Sequence, residues 1–534
     1  MLLKIKGHPM STVRGRKFII SKTMQVGGNT LVSRVLGLAR EIILMRFLGV
    51  GILADAFTTA FLIPNSLRKI FAEGALTAAF VPTFVNLFHK EGKERANQLM
   101  ALSFVVFEAV VLFLCVLVMM YPAQTTLFIM SGFSPEQVAA TVPCLRILMP
   151  FIFFISTSSL LAGAMNSVHH FFVPAFSPIL LNVFFIGGTL ACMAYGWPVE
   201  YLCYAIMFGG AAQFILHVVT YFYEGFSFAL PTKETFGVFW RILVKFLPCF
   251  VSMSVMEVNL IIDQKFASFL HPGSVTLMKY SSRFMGIPLG VFAVAFSTIL
   301  LPHFSRVRMY APSRLSFYLL ESMKLVLWVT LPATIIMGYL SEDIFQTLFA
   351  SVSSKFPAAM VPEAGLMLLG FLSGLFFFSV NKILLNLFYS LHDARYPTII
   401  AAIATSANIG LNYLLVNPLG GFGLALATSL SGAIQTVLCL ILLSRVHGFK
   451  LFPGRFMTFA GPYALQVIAI LLPFYALYRV TLYKLNTWLI GDWVRFFFLK
   501  SFGYWIWAGP LIVACFYVLY KSRKWFSIKL YFLD

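Results

Sequence analysis

Charge is scarce in this chain. Only 11% of its 534 residues are Asp, Glu, Lys or Arg, against roughly 25% in a soluble domain, so a water-facing globular surface cannot be assembled from it. Acids are scarcer still, 19 against 39 bases, which argues against a carboxylate-lined site for organic cations. No run alternates apolar and polar residues as a membrane barrel strand would. The seven cysteines lie in apolar runs without CxxC spacing and read as packing residues, not as a disulfide framework or metal centre. HExxH, DxD and Walker motifs are absent and the loops are mostly short, which excludes the common membrane enzymes. The N-terminus lacks the short apolar core and small-residue cleavage site of a signal peptide, and residues 1–23 read as a cytoplasmic tail.

What the chain has is long apolar runs: 60% of its residues are hydrophobic, 58 of them Phe. The expected fold is an all-α polytopic membrane protein with about fourteen transmembrane helices of ~20 residues. The runs lie near 24–48, 56–86, 98–122, 140–165, 173–195, 201–223, 243–270, 275–303, 317–340, 362–390, 397–416, 420–445, 457–480 and 502–521. Lys and Arg cluster in alternate loops, including Lys90, Lys93 and Arg95, then Arg306, Arg308 and Arg314, while the loops near 49–54, 123–139 and 271–274 carry none. That parity predicts both termini in the cytoplasm. The net charge of +20 then belongs to membrane topology and anionic headgroups, and nucleic acid is not expected as a partner.

The two halves echo each other. Asn166-Ser167-Val168-His169 and Pro174 align with Tyr389-Ser390-Leu391-His392 and Pro397 at a spacing of 223, and Gly210-Ala211-Ala212-Gln213 aligns with Gly432-Ala433-Ile434-Gln435 at 222. This predicts two six-helix repeats plus two C-terminal helices. The expected divisions are an N-lobe at 24–223, a cytoplasmic linker at 224–242, a C-lobe at 243–445, and a C-terminal pair with its tail at 446–534. Two parallel lobes rocking about a midplane site is an alternating-access arrangement.

Charges inside such spans carry the functional signal, because each costs roughly 2.5–3.5 kcal/mol at bilayer depth. Arg34 and Arg40 lie in the first span, Asp55, Asn65, Arg68 and Glu73 in or beside the second, and Arg283 in the eighth. Guanidinium groups fork onto phosphate oxygens, so four arginines with few acids predict a receptor for a diphosphate-sized anion. The alternative is internal ion pairing, such as Arg40 with Glu41. A second constellation, Asp263, Asn408, Asn412 and Thr428, offers oxygens for a monovalent cation or a proton-linked site, or else a hydrogen-bonded helix contact.

The runs Ser33-Arg34-Val35-Leu36-Gly37-Leu38-Ala39-Arg40, Asp55-Ala56-Phe57, Pro64-Asn65-Ser66-Leu67-Arg68 and Phe71-Ala72-Glu73-Gly74-Ala75 resemble the MurJ (MviN) lipid II flippases of the multidrug/oligosaccharidyl-lipid/polysaccharide exporter superfamily. Tyr280-Ser281-Ser282-Arg283 and Thr298-Ile299-Leu300-Leu301-Pro302 extend the resemblance. It implies a transporter in the bacterial inner membrane, with no cofactor, that moves the undecaprenyl-diphosphate disaccharide-pentapeptide to the outer leaflet for peptidoglycan synthesis. Cell-wall synthesis proteins are then expected as further partners. Arg34, Arg40, Arg68 and Arg283 match essential family arginines, and Ser33, Asp55, Asn65 and Glu73 match further functional positions. The last two helices are implied to form a groove for the polyprenyl tail. The four oxygen-bearing residues resemble positions that hold sodium in some members, with Asn412 where a carboxylate can stand; coupling to sodium, protons or the membrane potential stays open. A flippase for another polyprenyl-diphosphate glycan and a multidrug cation antiporter are the alternatives.

Overall fold

Backbone placed in hydrocarbon has no water to pair with, so a chain this apolar closes its hydrogen bonds within helices. The computed structural model describes residues 29–533 apart from 30, 31, 34, 38, 71–75, 169, 392 and 394, and the described residues form helices, turns and short connections with no strand. Arg34 and Glu73 therefore lie outside the described residues. Among the described residues, ten helices are long and apolar enough to cross a bilayer, or eleven if Ala358–Leu372 and Leu375–Ser390, bent by 40° at their junction, make one span. The expectation of fourteen meets this number in identifiable places. Arg395–His447 is a single 53-residue run that breaks at Gly420, φ 54° and ψ −136°; at 1.5 Å per residue it extends ~80 Å, enough for two crossings of a ~30 Å core. The runs at 24–48 and 56–86 fall on stretches that are only partly described.

The chain divides into two compact units. The first comprises residues up to Phe47, Thr59–Thr125 and Ala139–Ser254. Helices in this part of the chain are α1 (39–48), α2 (Ile52–Arg68), α3 (Thr77–Glu91), α4 (Lys93–Met120), α5 (Pro122–Ile129), α6 (Pro135–Leu148), α7 (Phe151–Ser167), α8 (Phe172–Tyr195), α9 (Val199–Tyr223) and α10 (Lys233–Ala267). Local chemistry sets several ends. α5 and α6 open on Pro122 and Pro135, whose missing N–H is harmless in a first turn. α8 stops where Gly196 turns left-handed, φ 67°, a conformation that suits glycine. The core of the unit is aromatic: Phe80, Phe84, Phe107, Tyr221, Phe226, Phe239 and Phe246 are buried together with Leu99 and Leu160, and the Phe107 and Phe246 rings are 5.1 Å apart.

The second unit holds Leu48–Thr58, Thr126–Val138 and Val255–Asp534. Its further helices are α11 (Ser274–Pro288), α12 (Ala295–Tyr310), α13 (Leu315–Tyr339), α14 (Ser341–Phe345), α15 (Val361–Leu372), α16 (Leu375–Ser390), α17 (Arg395–His447), α18 (Pro453–Trp488), α19 (Asp492–Lys500) and α20 (Tyr504–Ser522). A π-helical turn over Leu289–Val294 joins α11 to α12. One core sits among α12, α13, α16 and α17, with Phe304, Val326, Ile383, Leu387, Phe388 and Leu443. Another joins Leu325 of α13 to Tyr463, Val467, Cys515 and Leu519, and is closed by Ile528 and Leu530 of the C-terminal segment.

Outward-facing apolar side chains such as Phe113 (67% exposed), Val513 (68%) and Val291 (73%) would be an aggregation hazard in water; against lipid tails they are ordinary.

Gly210 and Gly432, which align at a sequence spacing of 222, do the same job in the two units. A Cβ on Gly210 would stand 2.7 Å from the Phe151 ring, and one on Gly432 2.6 Å from the Phe378 ring. Each lets an aromatic lie against helix backbone. Gly210→Val and Gly432→Val are each expected to cost about 1–3 kcal/mol through overpacking, read as a lowered thermal midpoint of the purified protein; unchanged midpoints would show that the rings have room to move.

Candidate functional site

Asp55 stands in the first turn of α2 and is 1% exposed. Its carboxylate is bound to the start of α11. Oδ2 accepts the Gly273 N–H at 2.6 Å, and Oδ1 accepts the Thr276 N–H at 2.9 Å and the Thr276 hydroxyl at 2.7 Å. Gln137 Nε2 adds a longer donation of 3.4 Å. The first N–H groups of a helix have no partner of their own and form its positive end, so a carboxylate brought in from elsewhere in the chain both caps and neutralises α11. The neighbouring backbone is fitted to the same contact. Gly273 is left-handed at φ 102°, and a Cβ there would meet Val50 Cγ1 at 2.5 Å. Gly49, at φ 67°, lies against the Lys355 backbone, whose carbonyl accepts the Val50 N–H at 3.0 Å. Beside them His271 Nε2 pairs with Glu363 Oε2 at 2.6 Å. Burial lowers the His271 pKa, but the Pro272 carbonyl and the Glu363 carboxylate outweigh it and the net direction is up.

Arg40 is held in the first unit. Nη1 donates to Asn182 Oδ1 at 3.1 Å and Nη2 to Glu41 Oε1 at 2.8 Å, while the guanidinium lies 4.9 Å from the centre of the Phe185 ring. Asn182 in turn donates to the Ser33 carbonyl at 3.2 Å and its hydroxyl at 3.4 Å. Arg40 Nε is buried with no hydrogen-bond partner. Asn65 and Arg68 share a face of α2, with Arg68 Nε and Nη2 donating to Asn65 Oδ1 at 3.2 and 3.0 Å. Of the predicted site residues, then, Ser33 and Arg40 join one network, Asn65 and Arg68 form a pair, and Asp55 lies with α11 in the second unit. Arg283 is also in the second unit, exposed on α11. Asn182, Gln137 and Thr276 went unnoticed in the sequence. Asn182, a lone amide in the run 173–195, was the legible one of the three.

The residues proposed to hold a cation do meet. Asn412 Nδ2 donates to Asp263 Oδ1 and to Asn408 Oδ1, both at 2.8 Å, and the Thr428 hydroxyl donates to Asp263 Oδ2 at 3.0 Å. An N–H₂ group stands between the two oxygens that a cation would need, while Asn412 Oδ1 is buried without a partner. In this arrangement the set does not fit sodium, because the amide supplies the positive hydrogens that the carboxylate requires.

An apolar groove of ≈ 360 Å³ opens between α13, α18 and α20, lined by Ile335, Ile336 and Leu340, by Val467, Leu471 and Phe474, and by Leu511, Ile512 and Cys515. Tyr339, Tyr475 and Tyr478 close one end, where the Tyr339 and Tyr475 ring centres lie 4.6 Å apart. There the Tyr478 and Tyr504 hydroxyls donate to Asp343 Oδ2 at 3.0 and 3.2 Å. Burial raises the Asp343 pKa, and the two hydroxyls oppose that rise.

Comparison with known proteins gives consistent results. The family described as lipid II flippase MurJ matches residues 44–499. A probable lipid II flippase MurJ of Rhizobium tropici is 32% identical over 441 residues, covering 80% of this chain and 81% of that protein. A lipid II flippase MurJ of Burkholderia cenocepacia is 31% identical over 445 residues, covering 81% and 85%. Among solved structures, a lipid II flippase MurJ in an inward closed conformation aligns with TM-score 0.76 at 25% identity, over 93% of this chain and 99% of that one. An inward-facing multidrug resistance MATE transporter aligns with TM-score 0.66 at 16% identity, over 78% and 95%, a likeness of fold alone.

Asp55→Ala leaves the α11 donors without their carboxylate. A lost cap costs ~0.5–2 kcal/mol, and buried unsatisfied donors cost about 1–3 kcal/mol. The thermal midpoint is expected to fall by several degrees, with Asp55→Asn intermediate because its carbonyl still accepts. Equal midpoints for all three proteins would show that the contact contributes nothing.

Proposed function

The chain belongs to the lipid II flippase MurJ family, and we propose that it carries lipid II, an undecaprenyl-diphosphate-linked disaccharide-pentapeptide, from the inner to the outer leaflet of the bacterial inner membrane by alternating access, with both termini in the cytoplasm. Arg34, Arg40, Arg68 and Arg283 supply guanidinium forks for the diphosphate oxygens. The observation that carries this reading is Arg40, held in place by Asn182 and Glu41 while its buried Nε donates to nothing. A clamp between helices has no use for a spare donor, whereas an anion-binding group does.

The groove between α13, α18 and α20 takes the polyprenyl tail. Its aliphatic wall suits an isoprenoid, and it keeps the tail in apolar surroundings while the headgroup travels. Asp55 acts as a latch on α11 that holds one conformation of the cycle and yields in the other. In this reading Ser33, Asn65 and Glu73 belong to the same headgroup machinery. The membrane potential drives the step, since export of negative charge toward a positive exterior gains about 2.3 kcal/mol per charge per 100 mV. With the Asn412 amide bridging Asp263 and Asn408, no sodium ion takes part. Peptidoglycan synthases on the outer face would consume the product.

Single Arg40→Ala, Arg68→Ala and Arg283→Ala variants, expressed at the normal level in cells depleted of their own flippase, are expected to lose rescue by tenfold or more in colony formation. Arg40→Lys should rescue in part, because it keeps the charge but not the fork. Full rescue by all three alanine variants would remove the arginines from the mechanism. For coupling, sodium in place of choline should leave the thermal midpoint of the unaltered protein unmoved, whereas Asn412→Asp should gain a sodium-dependent rise. A rise in the unaltered protein would restore the ion site.

A further inference from the structure

Beyond Arg95, α4 carries a charge at one place: Glu108 is the only charged residue between Arg95 and the end of the helix at Met120. At 1.5 Å per residue it lies ~23 Å from the start of the helix, well inside the span. The side chain is 4% exposed, and it faces Ser156 and Thr157 of α7, each 1% exposed. Neither carboxylate oxygen completes a hydrogen bond, and neither do the Ser156 and Thr157 hydroxyls. Four buried oxygens are thus gathered with no partner among them in hydrogen-bond geometry.

Among the described residues no charged side chain acts on Glu108; on α9, which packs on α7, the buried His217 has its Nδ1 at 2.8 Å from the Gln213 carbonyl. α7 carries no ionisable side chain along Phe151–Ser167. On α3 the ionisable groups are His89, Lys90 and Glu91, all in its last turn. α10 meets the unit's core through Phe239, Ile242 and Phe246, while its Arg241 and Lys245 are exposed. On α4 itself the nearest titratable group is Cys115, two turns away. A carboxylate buried without a partner cannot remain ionised cheaply; it takes up a proton instead.

We propose that Glu108, with Ser156 and Thr157, forms a proton-binding site inside the first unit. The two hydroxyls make both states tenable. Toward the carboxylate they donate, and toward the carboxylic acid one turns to accept, since a hydroxyl offers a donor and acceptors alike. Binding is the addition of one proton from water to one carboxylate oxygen, with no other bond changed. It neutralises the one charge of the apolar stretch of α4 and resets the hydrogen bonds that join α4 to α7, so that the packing of this helix pair answers to pH. The site is remote in sequence from the arginines, and the proposal does not rest on the flippase reading.

The test is infrared difference spectroscopy on the full-length protein in lipid bilayers. The unaltered protein at neutral pH is expected to show a carboxylic acid C=O band that bleaches as the pH is raised and is missing from the isosteric variant Glu108→Gln. Thr157→Val, which removes one hydroxyl and keeps the shape, should shift the frequency of that band. Identical spectra for the unaltered protein and Glu108→Gln would overturn the proposal. A band that vanishes at constant pH when choline is replaced by sodium would overturn it too, in favour of a metal cation.

Discussion

An ionised group in hydrocarbon must find its counter-charge or its hydrogen bonds within the protein, and this constraint shapes most of what is distinctive here. Three groups meet it in three ways. Asp55 uses the positive end of a helix, through two backbone N–H groups and a hydroxyl. Arg40 uses an amide, a carboxylate and an aromatic face together. Asp263 uses an amide and a hydroxyl from side chains of α17. Each solution fixes the position of the helices that contribute to it, because moving one of them away exposes a charge to low dielectric. In the proposed cycle, a carboxylate cap of this kind is a natural point of control over conformation.

The same constraint explains why small residues recur where helices touch. Hydrophobic burial does not drive association between two helices already in lipid, so contact depends on close packing. Gly210 and Gly432 let the rings of Phe151 and Phe378 reach the backbone. Gly370 meets Ala425 in a similar way, with an added Cβ 2.7 Å from that methyl. Ser429 follows the same logic with a polar group, donating to the Gly370 carbonyl at 2.7 Å.

The parts of this architecture that were legible in the sequence are those governed by one-dimensional rules. Long apolar runs declare helices. The pairing of Asn65 with Arg68 follows from helical spacing, as does that of Asn408 with Asn412. The fit of Asp55 to Gly273 and Thr276 could not be read, because the partners lie 218 and 221 residues away and backbone donors leave no mark in composition. Asp55 stood out as a charge, but what it held did not. Asn182 was the one amide and Glu108 the one charge of their apolar runs, a signal easily passed over when clusters are being sought. The division between the runs 397–416 and 420–445 was legible too, and the backbone of Gly420 makes it a break within Arg395–His447.

A carrier of a lipid-linked anion needs two surfaces of opposite character, and they cannot be the same surface. A cavity lined by arginines repels an isoprenoid, and a wall of Ile, Leu and Val gives a diphosphate nothing to bind. A repeat built of two equivalent halves supplies matched surfaces for moving the headgroup, yet an apolar tail has no second half to match. The proposed tail site on α18 and α20, outside the two expected repeats, resolves the conflict. Their groove against α13 is apolar along its walls and ends in tyrosines bonded to Asp343. Tyrosine suits such an end, since its ring continues the apolar wall while its hydroxyl meets polar surroundings. In the proposed function the division of labour follows from the chemistry of the cargo: the diphosphate falls to the arginines, and the hydrocarbon to the apolar groove of α13, α18 and α20.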